Sequence, residues 1–501
     1  VIVVTLENTQ APPQPEGLLA GAEQHSIDFI PDGERHGTVR QQGIFWFLSN
    51  TQSLSVAVGF LGPSLGLSLA WTVVALVVGT LIGTVFQALH ASQGPHLGLP
   101  QVLQSRAQFG YAGVVIPLLA ALFSFLAYTV LDSIILGLGF HSIFSVPKVL
   151  TIVVSGVAGV ALAVYGYDWL HRIFTWSFWI SLPLWGLLTL GILLGHAGGK
   201  APVTHGGVAW VAFAAQVAYA ASINLSYAPC VSDYSRYLPR ATPFRAVIFA
   251  VYAGASLSLI WLGALGAWLA TRLGATDALQ GMDAAGNHVV PGFGHLLVVV
   301  SSVVLVVTVA LCAYSAALTI LTAGSTVRPS LQVTTGHRAR ITLVLGIVWV
   351  IAGAALVDRG QTAIYDLILL VFYVLVPWSA INLVDYFFVR KGRYAITHLD
   401  KPDGIYRGWA WRGAVAYAVG LLAIVPFVQL SFWKGFGVEA LQGVDVSYVA
   451  GLAVAGVTYY LITRSQNLGA DEEAIRESET ELHRLGLLSV AIDEGHEAST
   501  L

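Results

Sequence analysis

Long apolar runs dominate this chain, and two of them are broken at their centres by small and polar residues. The first, Gly43 to Gly66, is interrupted by Ser49, Asn50, Thr51, Gln52, Ser53 and Ser55; the second, Val208 to Val231, by Ser222, Asn224, Ser226 and Pro229. Hydrocarbon offers no water, so every backbone N–H and C=O at membrane depth must be paired within the protein. A loosened helix centre is tolerable there only where it lines a cavity. Paired interruptions in corresponding segments of two halves of a chain are the pattern of a secondary transporter's binding site.

Composition points the same way. Of 501 residues, 56% are hydrophobic and 10% charged, against about 25% charged in a soluble domain, and the mean hydropathy is +0.73. The apolar runs are continuous, without the period-two alternation of a barrel, so the expected fold class is an all-α integral membrane protein. At about 20 residues per crossing, the runs read as twelve spans. After the first come Leu69 to Leu89, Val114 to Leu138, Val149 to Tyr165, Ile173 to Leu194 and the broken Val208 to Val231. Ala246 to Ala270, Leu296 to Ala323, Ile341 to Leu356, Ala363 to Val389, Gly413 to Val428 and Val446 to Ile462 follow.

Charge sets the expected orientation, because cytoplasmic loops carry the excess of Lys and Arg. With the N-terminus inside, the external loops hold Lys148, Lys200, Arg272, Arg359 and Lys434, five of the 24 basic residues. Val1 to Leu6 is too short for a signal-peptide core, so the chain is expected to insert through its first span. The expected organisation is a cytoplasmic N-terminal segment (1–42), a ten-span core (43–394), two added spans with their preceding loop (395–464) and a cytoplasmic tail (465–501). Each broken span opens one of two inverted repeats of the core, about 43–196 and 206–394. The tail, with Asp471, Glu472, Glu473, Glu477, Glu479 and Glu481 ahead of Leu485, Leu487 and Leu488, reads as a short solvated helix.

A net charge of −3 with no basic run excludes a nucleic-acid partner. Cys230 and Cys312 fall in apolar segments and read as small hydrophobes. No phosphate loop or HExxH pair is present, so no cofactor and no metal are expected, and Asn224-Leu225-Ser226 lies inside a span, where a glycosylation acceptor has no use.

Ionisable groups inside a membrane are functional candidates by default. Asp132 lies deep in the third span among Leu131, Ile134 and Ile135, with Tyr128 one turn earlier on the same face. A ring that stacks on a planar ligand beside a carboxylate that accepts N–H groups makes half a binding site. Desolvation would let Asp132 carry a proton, whereas a permanently ionised aspartate would suit a cationic substrate; the residues leave both open. In the eighth span Thr308, Cys312, Ser315 and Thr319 share a face.

Three stretches carry a resemblance: Leu99-Pro100-Gln101-Val102-Leu103-Gln104-Ser105-Arg106-Ala107-Gln108-Phe109-Gly110, Ser232-Asp233-Tyr234-Ser235-Arg236-Tyr237-Leu238-Pro239, and Pro377-Trp378-Ser379-Ala380-Ile381-Asn382-Leu383-Val384-Asp385-Tyr386-Phe387 with Arg390. Over roughly Phe29 to Tyr394 the chain is similar to the nucleobase cation symporter family, in particular its purine and cytosine permease branch. The resemblance implies a leucine-transporter-like fold with a 5+5 inverted repeat and two extra C-terminal helices, working by alternating access. It places the substrate between spans one, three, six and eight, so the candidate set is Ser49, Asn50, Gln52, Tyr128, Asp132, Asn224, Ser226, Thr308 and Cys312. Asp132 stands where the family has an amide, and Thr308 and Cys312 where the permeases usually carry asparagines.

The expected function is uptake of a nucleobase, such as cytosine or a purine, or a related small N-heterocycle by cation symport across the plasma membrane. Coupling to H⁺ through Asp132 is favoured over Na⁺, because Thr308 is followed by Val309, Ala310 and Leu311, which offer no second hydroxyl. Na⁺-coupled uptake of a hydantoin, allantoin or vitamin precursor is the alternative. A channel or receptor is a further class, and an enzyme is disfavoured because no two intramembrane carboxylates share a face.

Overall fold

A computed structural model describes residues 29–489 except 166, 200–208, 328–334, 467, 468 and 470. Val1 to Leu6, Lys200 and the predicted start of the sixth span at Val208 lie outside the described residues. Within them the architecture is helical, and apolar helices occupy all the predicted span positions. Span 1 is the bent pair Val39–Ser49 and Ser53–Ser64, span 2 Leu69–Ala91, span 3 Val115–Phe144, span 4 Lys148–Tyr165 and span 5 Tyr167–Leu193. Span 6 opens with Trp210–Leu225; spans 7 to 10 are Phe244–Trp268, Phe293–Val327, Thr335–Leu356 and Gln361–Val384; spans 11 and 12 are Trp411–Ile424 and Ser447–Thr463. Among the described residues six helices are long and apolar enough to cross a membrane singly, and the bent pair, counted as one span, brings the number to seven. The others are shorter, so length alone does not fix the number of crossings. Its parity is fixed another way: the Asp32 N–H donates to the Leu487 carbonyl at 3.0 Å and the Ser489 N–H to the Asp32 carboxylate at 3.1 Å. Because Asp32 and Leu487 meet on one face, the stretch between them crosses an even number of times. That face is called the terminal face below.

Span 1 starts on a capping box, in which the Gln41 N–H donates to Thr38 Oγ1 and the Thr38 N–H to the Gln41 side chain. It breaks at Asn50–Gln52, where Gln52 is extended (φ −150°, ψ 165°), and resumes at Ser53 with a bend of 63°. The hydroxyls expected to loosen the helix pair its carbonyls instead: Ser49 donates to Phe45 O, Thr51 to Phe47 O and Ser55 to Asn50 O. In span 6 the predicted interruptions at Ser222 and Asn224 lie within regular helix. The break falls later, at Ser226–Cys230, where a 3₁₀ turn containing Pro229 leads into Val231–Ser235. Proline has no N–H to continue the helical ladder, which is why the turn sits there.

Packing reveals the internal repeat. Span 1 packs on span 7 as span 6 packs on span 2; span 3 packs on span 9 as span 8 packs on span 4; span 5 packs on span 8 as span 10 packs on span 3. Shifting the numbers by five maps each contact onto its partner, which is the expectation for two five-helix repeats. Spans 11 and 12 pack on each other and on span 10. Close approach requires glycine at particular points: a Cβ on Gly59 would meet the Gly263 carbonyl at 2.0 Å, and one on Gly83 the Ala221 carbonyl at 2.0 Å.

The tail corrects an expectation. Asp471–Arg484 is a helix, but Ala474, Ser478 and Leu482, four residues apart, are buried against the terminal face instead of lying in solvent. Leu482 joins a cluster with Leu97, Leu99, Tyr394 and Leu399, and Arg390, Arg393 and Lys401 pair with Asp471, Glu472 and Glu481. The acidic run that reads as solvated is matched by basic residues distant in sequence.

Leu482→Ala should weaken this docking by about 2 kcal/mol, the low end for a buried leucine, and hydrogen exchange should then accelerate in 471–484 while the spans stay protected. Unchanged exchange there would contradict the packing. The hydrogen bond from Lys401 holds the Glu481 carboxyl below its ordinary range. A depressed carboxyl contributes stability above its unfolded value and loses it as pH falls through the folded one, so acid should also lower the protection of the tail amides relative to their intrinsic exchange rates at each pH.

Candidate binding site

The breaks of spans 1 and 6 face spans 3 and 8 across a cavity of about 100 Å³. Ser49, Gln52, Tyr128, Ser226, Thr308 and Cys312, six of the sequence-predicted residues, line it. Tyr128 OH lies 2.6 Å from Ser226 Oγ; because Ser226 Oγ donates to Ile223 O, the phenol is the donor. Thr308 Oγ1 donates to Gln52 Oε1 at 3.2 Å, and the Gln52 amide reaches Tyr227 OH at 3.5 Å, a long contact. These bonds join spans 1, 3, 6 and 8 around one volume.

Asn50 and Asn224 do not line the cavity. The Asn50 side-chain N–H₂ donates to Asn224 Oδ1 at 2.8 Å and to Ala255 O at 3.0 Å, and Asn224 Nδ2 donates to Thr84 Oγ1 at 2.6 Å. Both are fully buried; Asn50, at the span 1 break, and Asn224, in the last helical turn before the span 6 break, join spans 1 and 6 to each other and to spans 2 and 7. Asp132 also stands behind the lining. It is 0% exposed, neither carboxylate oxygen has a hydrogen-bond partner among the described residues, and it is within electrostatic range of Cys312, Tyr128 and Tyr227.

Sequence reasoning missed the aromatic wall. Phe45, Trp46, Phe125, Tyr227 and Tyr234 line the cavity with Tyr128. Phe45 and Tyr234 lie 4.3 Å apart between centroids, and Trp46 meets Tyr227 edge-on at 5.4 Å. Their one available signal was helical phase: Phe45 and Trp46 precede Ser49 by one turn. Ser124, Cys230, Leu311 and Ser315 complete the lining, which contains no ionised side chain. Aromatic faces, hydroxyls and one amide suit a planar uncharged ring with N–H and C=O edges.

The three motifs of the sequence resemblance converge at the terminal face. The Gln101 N–H donates to Asp233 at 2.9 Å, Ser232 Oγ to Gln101 Oε1 at 2.5 Å, Trp378 Nε1 to Ser105 Oγ at 2.9 Å and Gln108 Nε2 to Asp385 at 2.5 Å. Tyr394 and Tyr459 also donate to Asp385, and His90 stacks on Trp378 at 3° and 4.9 Å. The segment between spans 2 and 3 is thereby tied to the ends of spans 6, 10 and 12.

Comparison with known proteins places the chain. Residues 29–451 match the profile of a family described as permease for cytosine/purines, uracil, thiamine and allantoin. The chain is 33% identical over 453 residues to YxlA of Bacillus subtilis (strain 168), assigned as a purine-cytosine permease, covering 88% of this chain and 96% of that one. The inward-facing structure of Mhp1 aligns with a TM-score of 0.67 at 18% identity, over 94% of this chain and 98% of that one. A closed structure of Mhp1, a nucleobase-cation-symport-1 family transporter with bromovinylhydantoin bound, aligns at 0.65 and 18% identity, over 91% and 98%. The fold is therefore the leucine-transporter-like one.

The Asn50–Asn224 pair generates a prediction. Single Asn50→Ala and Asn224→Ala variants should each destabilise the detergent-solubilised protein, and the double variant should cost less than their sum. The coupling should be about 1 kcal/mol, the scale of side-chain hydrogen bonds between membrane helices. Strict additivity in unfolding measurements would show that the pair does not couple spans 1 and 6.

Proposed function

The chain belongs to the family of permeases for cytosine/purines, uracil, thiamine and allantoin, and from that premise we propose that it imports a neutral nucleobase or closely related N-heterocycle by proton symport. It is a multi-pass membrane transporter, and its relatives are permeases, not enzymes. The observation that carries the substrate reading is the lining: six aromatic rings with hydroxyls and the Gln52 amide, and no ionised group. A planar ring is held by stacking, and its polar edge is read by Ser226, Thr308, Ser315 and Gln52; the Thr308–Gln52 and Tyr128–Ser226 bonds can be exchanged for bonds to substrate.

The coupling reading starts from Asp132. A carboxylate buried in a membrane core with no hydrogen-bond partner is costly once ionised. A proton satisfies it while the cavity awaits substrate, and release of that proton toward the other face ties each transport cycle to the gradient. The break in span 1 lets the cavity change its exposure while the rest of each helix stays regular. The concentration of Arg at the terminal face supports placing that face, and both ends of the chain, in the cytoplasm of a cell with the protein in its plasma membrane.

Na⁺ coupling is the second reading, favoured by Ser315 sharing the cavity with Thr308. The two separate in proteoliposomes. Proton coupling predicts saturable nucleobase uptake that persists in Na⁺-free buffer, is abolished by a protonophore and survives Thr308→Ala with a modest loss of affinity. Uptake strictly dependent on Na⁺ and indifferent to the protonophore would overturn it, and a linear, unsaturable flux would overturn the carrier itself. Asp132→Asn, nearly isosteric, should fold and change the pH dependence of uptake or the preferred ligand; wild-type uptake across acidic and alkaline pH would remove Asp132 from both roles. Tyr128→Ala should weaken binding by about 1–3 kcal/mol, the scale of base–aromatic stacking, and Tyr128→Phe far less.

A further inference from the structure

A second cleft, of about 330 Å³, opens at the terminal face between the end of span 10, the start of span 11 and the segment after span 12. Arg390, Arg407 and Arg412 line it with Trp409 and Trp411, and Asp471 of the tail helix is the one carboxylate among the lining residues. Arg390 is already engaged, 3.5 Å from Asp385 and 3.0 Å from Asp471. Arg407 and Arg412 form no ion pair among the described residues; Arg412 donates through Nε to the Ile462 carbonyl at 3.1 Å, and its remaining N–H groups stay available. Two uncompensated guanidiniums therefore face the same cleft.

The surroundings say what they meet. Trp409 and Trp411 are 62% and 57% exposed at the start of a membrane helix, the level at which indoles sit among lipid headgroups. Span 11 begins at Trp411 without a side-chain cap, so its first N–H groups add positive potential at the same spot. Arg407 is held at the rim by its backbone: at φ 62° it donates to Gly404 O and accepts from the Tyr111 N–H, each at 2.9 Å. Basic pockets between membrane helices on such a face recognise phosphate-bearing headgroups.

We propose that this cleft binds the headgroup of an anionic phospholipid from the leaflet at the terminal face, with Arg407 and Arg412 contacting its phosphodiester and Trp409 and Trp411 fixing its depth. The site is separate from the substrate cavity and independent of what is transported. Phosphatidylcholine carries the same phosphodiester with a compensating cation, so the site should discriminate against it by charge. Inorganic phosphate shares the anionic chemistry without the acyl chains that hold a lipid at the bilayer edge.

Native mass spectrometry of the full chain, released from micelles doped with equal phosphatidylglycerol and phosphatidylcholine, tests this. Wild type should retain phosphatidylglycerol preferentially, and Arg407→Gln and Arg412→Gln should each reduce that preference by about fivefold, the effect of one basic residue near an anionic surface. Arg407→Lys, which keeps the charge, should retain most of it and guards against a folding defect. Equal retention of the two lipids by wild type, or an undiminished preference in a folded Arg407→Gln, Arg412→Gln double variant, would overturn the proposal. Thermal stabilisation by millimolar inorganic phosphate equal to that by phosphatidylglycerol would also overturn it, assigning the cleft to a soluble anion.

Discussion

The structure depends on one constraint: backbone freed by a broken helix in hydrocarbon must find partners inside the protein. Span 1 loses its regular ladder at Asn50–Gln52, where Ser49, Thr51 and Ser55 donate to its carbonyls, and span 6 loses it at Ser226–Cys230, where Ser226 and Cys230 donate to the Ile223 and Tyr227 carbonyls; the Asn50–Asn224 pair links the two spans beside these breaks. Because that pair also engages Ala255 O and Thr84, the four helices of spans 1, 2, 6 and 7 are fastened at the depth where two of them are discontinuous. The cavity is what remains on the other side of the breaks, facing spans 3 and 8.

This division of labour explains the chemistry of the lining. The Asn50 and Asn224 amides are occupied in holding spans 1 and 6 together, so the polar part of the lining consists of hydroxyls, two thiols, the Trp46 indole and the Gln52 amide. At the terminal face the order is reversed: Asp385, buried and surrounded by Tyr394, Tyr459, Gln108 and Arg390, gathers separate segments around one carboxylate. Asp132 is the contrasting case: among the described residues no donor reaches either of its carboxylate oxygens.

Much of this was legible before any coordinates. Long apolar runs read out the membrane fold and the positions of its helices, because that signal comes from solvation and is local in sequence. Asp132 stood out because an intramembrane carboxylate is rare. What escaped needed three-dimensional pairing. Asn50 and Asn224 read as ligand residues because a polar side chain at a break looks the same whether it meets substrate or another asparagine. Phe45, Trp46 and Tyr234 passed unnoticed because an aromatic residue facing a cavity and one facing lipid have the same neighbours in sequence. The tail helix read as solvated because its partners, Arg390, Arg393 and Lys401, lie some 80 residues away.

The central claim is that the volume beside the two breaks is where the transported heterocycle sits. The chain's two cysteines, Cys230 and Cys312, both line it and both are half-buried, so alkylation by a small uncharged maleimide reports its occupancy directly. A transported nucleobase at saturating concentration should slow modification of both thiols, while a heterocycle that is not transported should leave their rates alone. Equal rates with and without a substrate that the same preparation demonstrably transports would place the binding site elsewhere and contradict the account.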